Sequence, residues 1–206
     1  MGDVSKVGRT DIYAPGSFMD TPSVFPKVEL SDGTIAIRQF EAGDGPLLYT
    51  AVRESLPEIR QWMVWCHPEY SLEDSASFIN RCPSDWQKGV RFSFVIQSHH
   101  NSEFLGSVGL SQIDPVHKVG SIGYWVRTTR TRRGAASAGL RLAARFGFDR
   151  LGLQRVELVI PVGNAPSMRV AEKAGARFEG VLRKRIMLNG KSCDAAIYSL
   201  VNRLMG

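Results

Sequence analysis

From Phe92 onward the spacing of apolar residues passes twice from the two-residue period of a strand to the longer period of a helix and back. That alternation constrains the fold more than any other feature of the chain. Phe92, Phe94 and Ile96 fall on one face of a strand, and residues 104–113 and 121–126 are strand-like too, with turns at 99–102 and at Asp114-Pro115. From Gly134 the period is helical: Leu140, Ala144, Phe148 and Leu151 share one face and Arg141, Arg145 and Asp149 another, until Gly152 ends the run. A strand at 155–160, a short helix at 165–174 stopped by Gly175, and strands near 178–187 and 194–201 complete the pattern.

The first half reads more simply. Residues 34–38 alternate as a strand, and the run Gly43-Asp44-Gly45-Pro46 precedes a helical pattern carried by Leu47, Leu48, Tyr49 and Val52. Ser71 and Asp74 have the spacing of a reciprocal helix cap leading into Ala76, Phe78 and Ile79. The order βααβββαβαββ predicts an α/β or α+β layer around a central sheet. Residues 1–26 are rich in Gly and Pro without a sustained period and read as an extended or mobile arm, so the domain occupies 27–206.

Composition excludes several classes. Hydrophobic residues at 43% and charged residues at 22% are ordinary for a globular chain, which rules out collagen, coiled coil and wholesale disorder. No apolar run is long enough to span a membrane and no signal peptide is recognisable, so a cytoplasmic protein is expected. Cys66, Cys82 and Cys193 form neither a disulfide framework nor a metal-ligand pattern, so no metal is expected. The net charge is +6, but between Arg127 and Arg155 there are eight arginines and one acid, Asp149. Such a stretch calls for an anionic partner, either nucleic acid, an acidic surface or a phosphorylated small molecule.

The link between the strand Ile122-Gly123-Tyr124-Trp125-Val126 and the helix after Gly134 is Arg-rich and ends in small residues. A helix N-terminus offers unpaired N–H groups and about half a positive charge, and Gly134, Ala135 and Ala136 let an anion approach them, so this chemistry fits a pyrophosphate. An exposed turn whose glycine only relieves strain would look the same. Other phosphate loops fail: Gly190-Lys191-Ser192 ends like a P-loop but has Arg185 where a glycine is required, and no G-x-G-x-x-G follows a strand.

Arg132-Arg133-Gly134-Ala135-Ala136 resembles the acyl-CoA loop of the GNAT acetyltransferases, Q/R-x-x-G-x-G/A, with Gly134 and Ala136 in its fourth and sixth places. Residues 162–167, 170–176 and 179–183, and the ending from Asp194 through Tyr198-Ser199-Leu200, are similar to the second half of that family in its RimJ/RimL-type branch, known for acetylating N-terminal amines of ribosomal proteins and certain small molecules. The resemblance covers roughly residues 30–202. It implies a single domain with a central mixed, mostly antiparallel sheet flanked by helices, and an N-acetyltransferase moving an acetyl group from acetyl-CoA to a primary amine. It implies a cofactor site at Tyr124, Trp125 and Val126 of the strand, at Arg132, Arg133, Gly134, Ala135, Ala136 and Ser137 of the loop and helix, and at Asn164.

Two departures matter. Thr131 opens the loop pattern, with Arg130, Arg132 and Arg133 available to replace the charge, and Ser121 stands where the branch often carries Glu. The tyrosine that protonates the thiolate in the family would fall near Ala171, so Ser167 of the N-x-x-S pattern is the implied donor to the departing sulfur. The acceptor pocket is expected around Trp62, Trp65, Glu69 and Ser121, with Met63 and Tyr70 completing an aromatic wall or belonging to the core. Glu54, Glu58, Glu69 and Asp74 are carboxylates that could take the amine proton or remain solvated, and His67 and His117 could titrate near neutrality. An α-amine is roughly a tenth neutral at pH 7 and a lysine amine only about 0.04%, so a site without a strong base favours the α-amine of a protein N-terminus or an aminoacyl small molecule. The competing reading is a non-enzymatic module that binds acyl-CoA or, through the basic segment, nucleic acid. The paired aromatics of RNA-binding modules are missing there, since Phe146 and Phe148 read as helix core. A monomer or homodimer is expected.

Overall fold

The computed structural model describes residues 27–202; the arm expected at 1–26 lies outside the described residues. Eight strands form one sheet in the order β1-β2-β3-β4-β5-β6-β8-β7. They are β1 (Glu29–Ser31), β2 (Ile35–Gln39), β3 (Arg91–Ser98), β4 (Phe104–Asp114), β5 (Val119–Val126), β6 (Arg155–Pro161), β7 (Arg177–Leu188) and β8 (Lys191–Val201). Four α-helices, α1 (Gly45–Ile59), α2 (Leu72–Gln87), α3 (Ala135–Leu151) and α4 (Ala165–Lys173), interrupt them. Every neighbouring pair is antiparallel except β5 and β6. This is the expected single α/β layer with a mixed, mostly antiparallel sheet. Strand β1 was not anticipated, because three residues are too few to show a period.

The two faces of the sheet carry separate cores. Phe92, Phe94, Ile96, Val108, Leu110, Ile122, Val156, Leu158 and Ile160 face α3 and α4. Val95, Phe104 and Trp125 point the other way, toward α1 and α2, where Leu48, Val52, Ile59 and Ile79 cover them. Each fully buried side chain of this size contributes about 1.5–3 kcal/mol. Helix α3 lies close to the sheet because its inner face is built of small residues. A Cβ added at Gly139 would come within 2.8 Å of Ile96 Cδ1.

The helix ends match the sequence signals. Ser71 and Asp74 form the capping box of α2, Asn164 caps α4, and Gly152 ends α3 in the left-handed conformation at φ 64. A nearly buried ion pair fixes the entry to α1. Arg38 bonds both oxygens of Asp44 at 2.8 Å and reaches Gln97 Oε1 at 2.9 Å, so β2, β3 and the start of α1 share one polar node.

Candidate active site

The parallel pair β5–β6 holds register only from Val119↔Arg155 through Gly120↔Val156 to Ser121↔Glu157. Beyond that point β5 stays with β4 as far as Val126↔Gly106, and β6 stays with β8 as far as Pro161↔Ala195. The two strands therefore part like a wedge, and the edge of β5 from Ile122 onward that faces β6 has no strand partner among the described residues. At the open end each strand delivers a helix N-terminus, β5 that of α3 and β6 that of α4.

The α3 terminus is bare. Its N-cap is Gly134 at φ 82, which provides no side chain to cap the first turn. The Ser137 hydroxyl donates inward to Gly134 O at 3.0 Å, so in this arrangement the residue offers an anion its backbone N–H. Ala135 is buried and Ala136 half-buried, while Arg132 and Arg133 are exposed and form no ion pair among the described residues. Arg132 itself takes a left-handed φ of 63. Exposed cations beside uncapped amides suit a diphosphate, so these residues fit the group implied for the loop.

The other arginines of the basic stretch are mostly neutralised. Arg127 pairs with Glu54, Arg130 with Glu103 at 2.6 Å, Arg141 with Asp32, Arg145 with Asp149, and Arg155 with Glu179. Arg130, which the sequence offered as a substitute charge, is thus already paired. These pairs also anchor the loop. Arg127 reaches Phe104 O, Thr129 Oγ1 donates to Glu54, Thr128 N donates to the buried Ser55 Oγ at 3.0 Å, and Thr128 Oγ1 donates to Glu58 at 3.1 Å. Helix α1 is thus fastened to the segment leading into Gly134, a contact no local pattern announced. The Arg127 guanidinium holds the Glu54 carboxyl below its ordinary value, with Thr129 assisting.

At the α4 terminus the buried Asn164 accepts from Ser167 N at 3.2 Å through its side-chain oxygen, which is the cap expected of it. Ser167 is half-buried in the first turn and meets Tyr124 from across the wedge. Tyr124 Oη is 2.9 Å from Ser167 O and 2.8 Å from Ser167 Oγ. Sequence reading placed Tyr124 only against the cofactor. Its link to a residue 43 positions away arises because Tyr124 shares a β5 face with Ile122 and Val126, toward α4.

The expected acceptor pocket is assembled only in part. Trp65, 41% exposed, packs tilted against the buried Trp125 at 6.1 Å and edge-on to Tyr70 at 6.0 Å, on the α1–α2 face. Tyr70 is core, its hydroxyl accepting from Ser75 Oγ at 3.0 Å. Trp62 is half-buried in the turn after α1 and joins none of these ring contacts. Glu69 is exposed, with His67 3.7 Å away, so it lies at the surface and not against a formed wall. Ser121 sits at the vertex of the wedge, between Ser111 and Glu157. Glu157 is the carboxylate sequence reading overlooked, since only the strand register sets it beside Ser121, and Arg155 Nε holds it at 2.9 Å. Asp74 is consumed by the α2 cap, and His117 pairs with Asp114 in the turn at the opposite end of β5.

The chain matches the acetyltransferase (GNAT) domain family over residues 34–177. It is 32% identical over 131 residues to the uncharacterized N-acetyltransferase YoaA of Bacillus subtilis (strain 168), covering 64% of this chain and 74% of that protein. It is 25% identical over 154 residues to the ribosomal-protein-serine acetyltransferase of Escherichia coli (strain K12), covering 75% and 85%. Among solved structures it resembles the microcin C7 self immunity acetyltransferase MccE in complex with acetyl-CoA and AMP, with a TM-score of 0.75 and 26% identity over 84% of this chain and 94% of that one.

Proposed function

The chain belongs to the GNAT acetyltransferase family of acetyl-CoA-dependent N-acetyltransferases, and from that membership we propose that it acetylates an α-amine, at a protein N-terminus or on an aminoacyl small molecule. The observation that carries the reading is the wedge, with a bare helix terminus and two arginines without an ion pair among the described residues on one arm and Ser167 on the other. Arg132, Arg133 and the amides at Gly134, Ala135 and Ala136 hold the pyrophosphate. The open edge of β5 at Tyr124, Trp125 and Val126, with the Asn164 side-chain amide, holds the pantetheine arm.

The chemistry supplied by acetyl-CoA is an activated acyl carbon joined to a sulfur leaving group. Ser167 donates a hydrogen bond toward that sulfur as charge grows on it, an interaction made in the transition state and not before. The C–N bond forms, the C–S bond breaks, and the proton shed by the nitrogen balances the one the sulfur takes. Among the described residues Glu54, Glu58 and Glu157 are each hydrogen-bonded to a neighbouring side chain, so none of these three stands free as a base. That supports an α-amine acceptor, which reaches its neutral form at pH 7 about two hundred times more readily than a lysine. A relative that acts on ribosomal-protein serine and a neighbour solved with AMP support the same acceptor classes. We place the enzyme in the cytoplasm, as a monomer or homodimer.

The test is a screen of N-terminal peptides, aminoacyl nucleotides, aminoglycosides and polyamines against acetyl-CoA, read by intact mass. Acetylation of α-amines with lysine side chains untouched is expected, and preference for polyamines or lysine would overturn the acceptor reading. With a verified acceptor, Ser167→Ala should lower kcat roughly 10- to 1000-fold with CoA affinity nearly unchanged. Full turnover in that variant would remove Ser167 from the chemistry.

A further inference from the structure

The Tyr124–Ser167 contact can be read in protons. Three oxygens meet there, the Tyr124 phenol, the Ser167 hydroxyl and the Ser167 carbonyl, and only two protons serve them. A carbonyl oxygen only accepts, so the phenol proton is the one directed to it. The 2.8 Å contact between the two hydroxyls then uses the Ser167 proton, donated to Tyr124 Oη. Tyr198, the neighbouring phenol from β8, gives its own proton to Glu172 Oε1 at 3.1 Å, which leaves Ser167 as the hydroxyl partner of Tyr124. In this arrangement Ser167 turns lone pairs, not a proton, away from Tyr124. A serine so oriented cannot stabilise a thiolate until the chain of donors reverses.

We propose that Tyr124 is a positioning residue that sets the direction of the Ser167 hydroxyl, accepting its proton in the arrangement seen here and donating to Ser167 Oγ when Ser167 donates to the departing sulfur. This rests on the reading of Ser167 as the group facing that sulfur. The reversal releases the Ser167 carbonyl, which lies within α4 and is open to the helix's own amide four residues on. Both hydroxyls keep their protons through the cycle, and the sulfur's proton is balanced by the one the amine gives up, so no further reactant is needed. Tyr124 acts through Ser167 and is not itself the acid. Burial pushes its phenol up to about 12. Full transfer from there to a thiolate of ordinary pKa, about 8.5, is unfavourable by roughly a thousandfold or more. Accepting from a phenol polarises the serine O–H and makes it a stronger donor, which is the contribution assigned to Tyr124.

Tyr124→Phe tests this directly, because it removes one oxygen and keeps the packed ring. The expected result is a kcat about tenfold lower with the KM for acetyl-CoA within about twofold, the pattern of a bond used in the transition state. Adding Tyr124→Phe to Ser167→Ala should slow turnover no further, since the phenol then has nothing to direct. A second readout needs no acyl donor: in thermal melts of the free protein, the two substitutions should be non-additive by the one hydroxyl–hydroxyl bond they share, since Ser167→Ala keeps the carbonyl to which Tyr124 donates. Wild-type turnover by Tyr124→Phe while Ser167→Ala is slow would overturn this proposal and leave the Ser167 reading standing. Additive melting shifts, or an equal slowing by Tyr124→Phe on the Ser167→Ala background, would overturn it as well. Full turnover by Ser167→Ala would remove the Ser167 reading and this proposal together.

Discussion

Replacing Arg132 and Arg133 together by Ala separates two views of the phosphate loop. Buried, charge-assisted hydrogen bonds would lose about 1.5–3 kcal/mol each. Both side chains are exposed, however, and neither is fixed by an ion pair among the described residues, so screened Coulomb attraction is the better measure. A unit charge about 5 Å from another in water gains about 0.8 kcal/mol, and a diphosphate with two charges doubles that to about 1.6 kcal/mol per arginine. At 0.15 M salt, with a Debye length of about 8 Å, roughly half survives, or about 1.6 kcal/mol for the pair and about 15-fold in CoA affinity. At 0.01 M salt the Debye length of about 30 Å leaves most of it, about 2.7 kcal/mol and nearly 100-fold. Calorimetric titration of CoA into both proteins at the two ionic strengths measures this. A loss above 1000-fold that ignores salt would show that the arginines clamp the phosphates as buried partners, and no loss at either salt would remove the loop from the cofactor site.

Asn164→Ala should lower stability by about 1 kcal/mol through loss of the bond to Ser167 N, a melting shift of about 2–4 °C, and should also weaken CoA. If melting and affinity both match the wild type, Asn164 neither caps nor binds. Asp44→Ala should cost about 3–5 kcal/mol, because Arg38 keeps its charge in a nearly buried site. Burial alone would raise the Asp44 carboxyl, but its bonds from Arg38 and the Glu41 amide bring it below the ordinary value. Its contribution is therefore complete above the unfolded value near pH 4 and disappears as pH falls through the lowered one. Melting temperature should drop less steeply below pH 4 in Asp44→Ala than in the wild type, and parallel acid profiles would refute the assignment.

The period of the apolar residues was enough for the element order, apart from β1, because each longer strand and helix shows its own repeat over several residues. Local caps were legible for the same reason: Ser71 with Asp74, Asn164 with Ser167, and the glycine stops at Gly152 and Gly175 involve partners within a turn or two. The loop proposed to hold the phosphates shows in the sequence as small residues and arginines at a helix start. Its electrostatics were not legible, since counting charges along the chain gave a basic stretch, whereas Arg127, Arg130, Arg141 and Arg155 find acids elsewhere in the fold and leave Arg132 and Arg133 without an ion pair among the described residues.

Tertiary structure alone decided the chemistry of the wedge. Whether β5 and β6 stay paired or part after Ser121 depends on which neighbour each strand follows, β4 or β8, and that competition is invisible along either strand. The paired stretch puts Glu157 beside Ser121, and Tyr124 meets Ser167 across the gap where the strands have parted. Residue spacing dictates what lies within a few positions, because backbone periodicity is local. Contacts between residues 43 or 73 positions apart, such as Tyr124 with Ser167 or Arg127 with Glu54, exist only once the sheet has closed its register and fixed both ends in space.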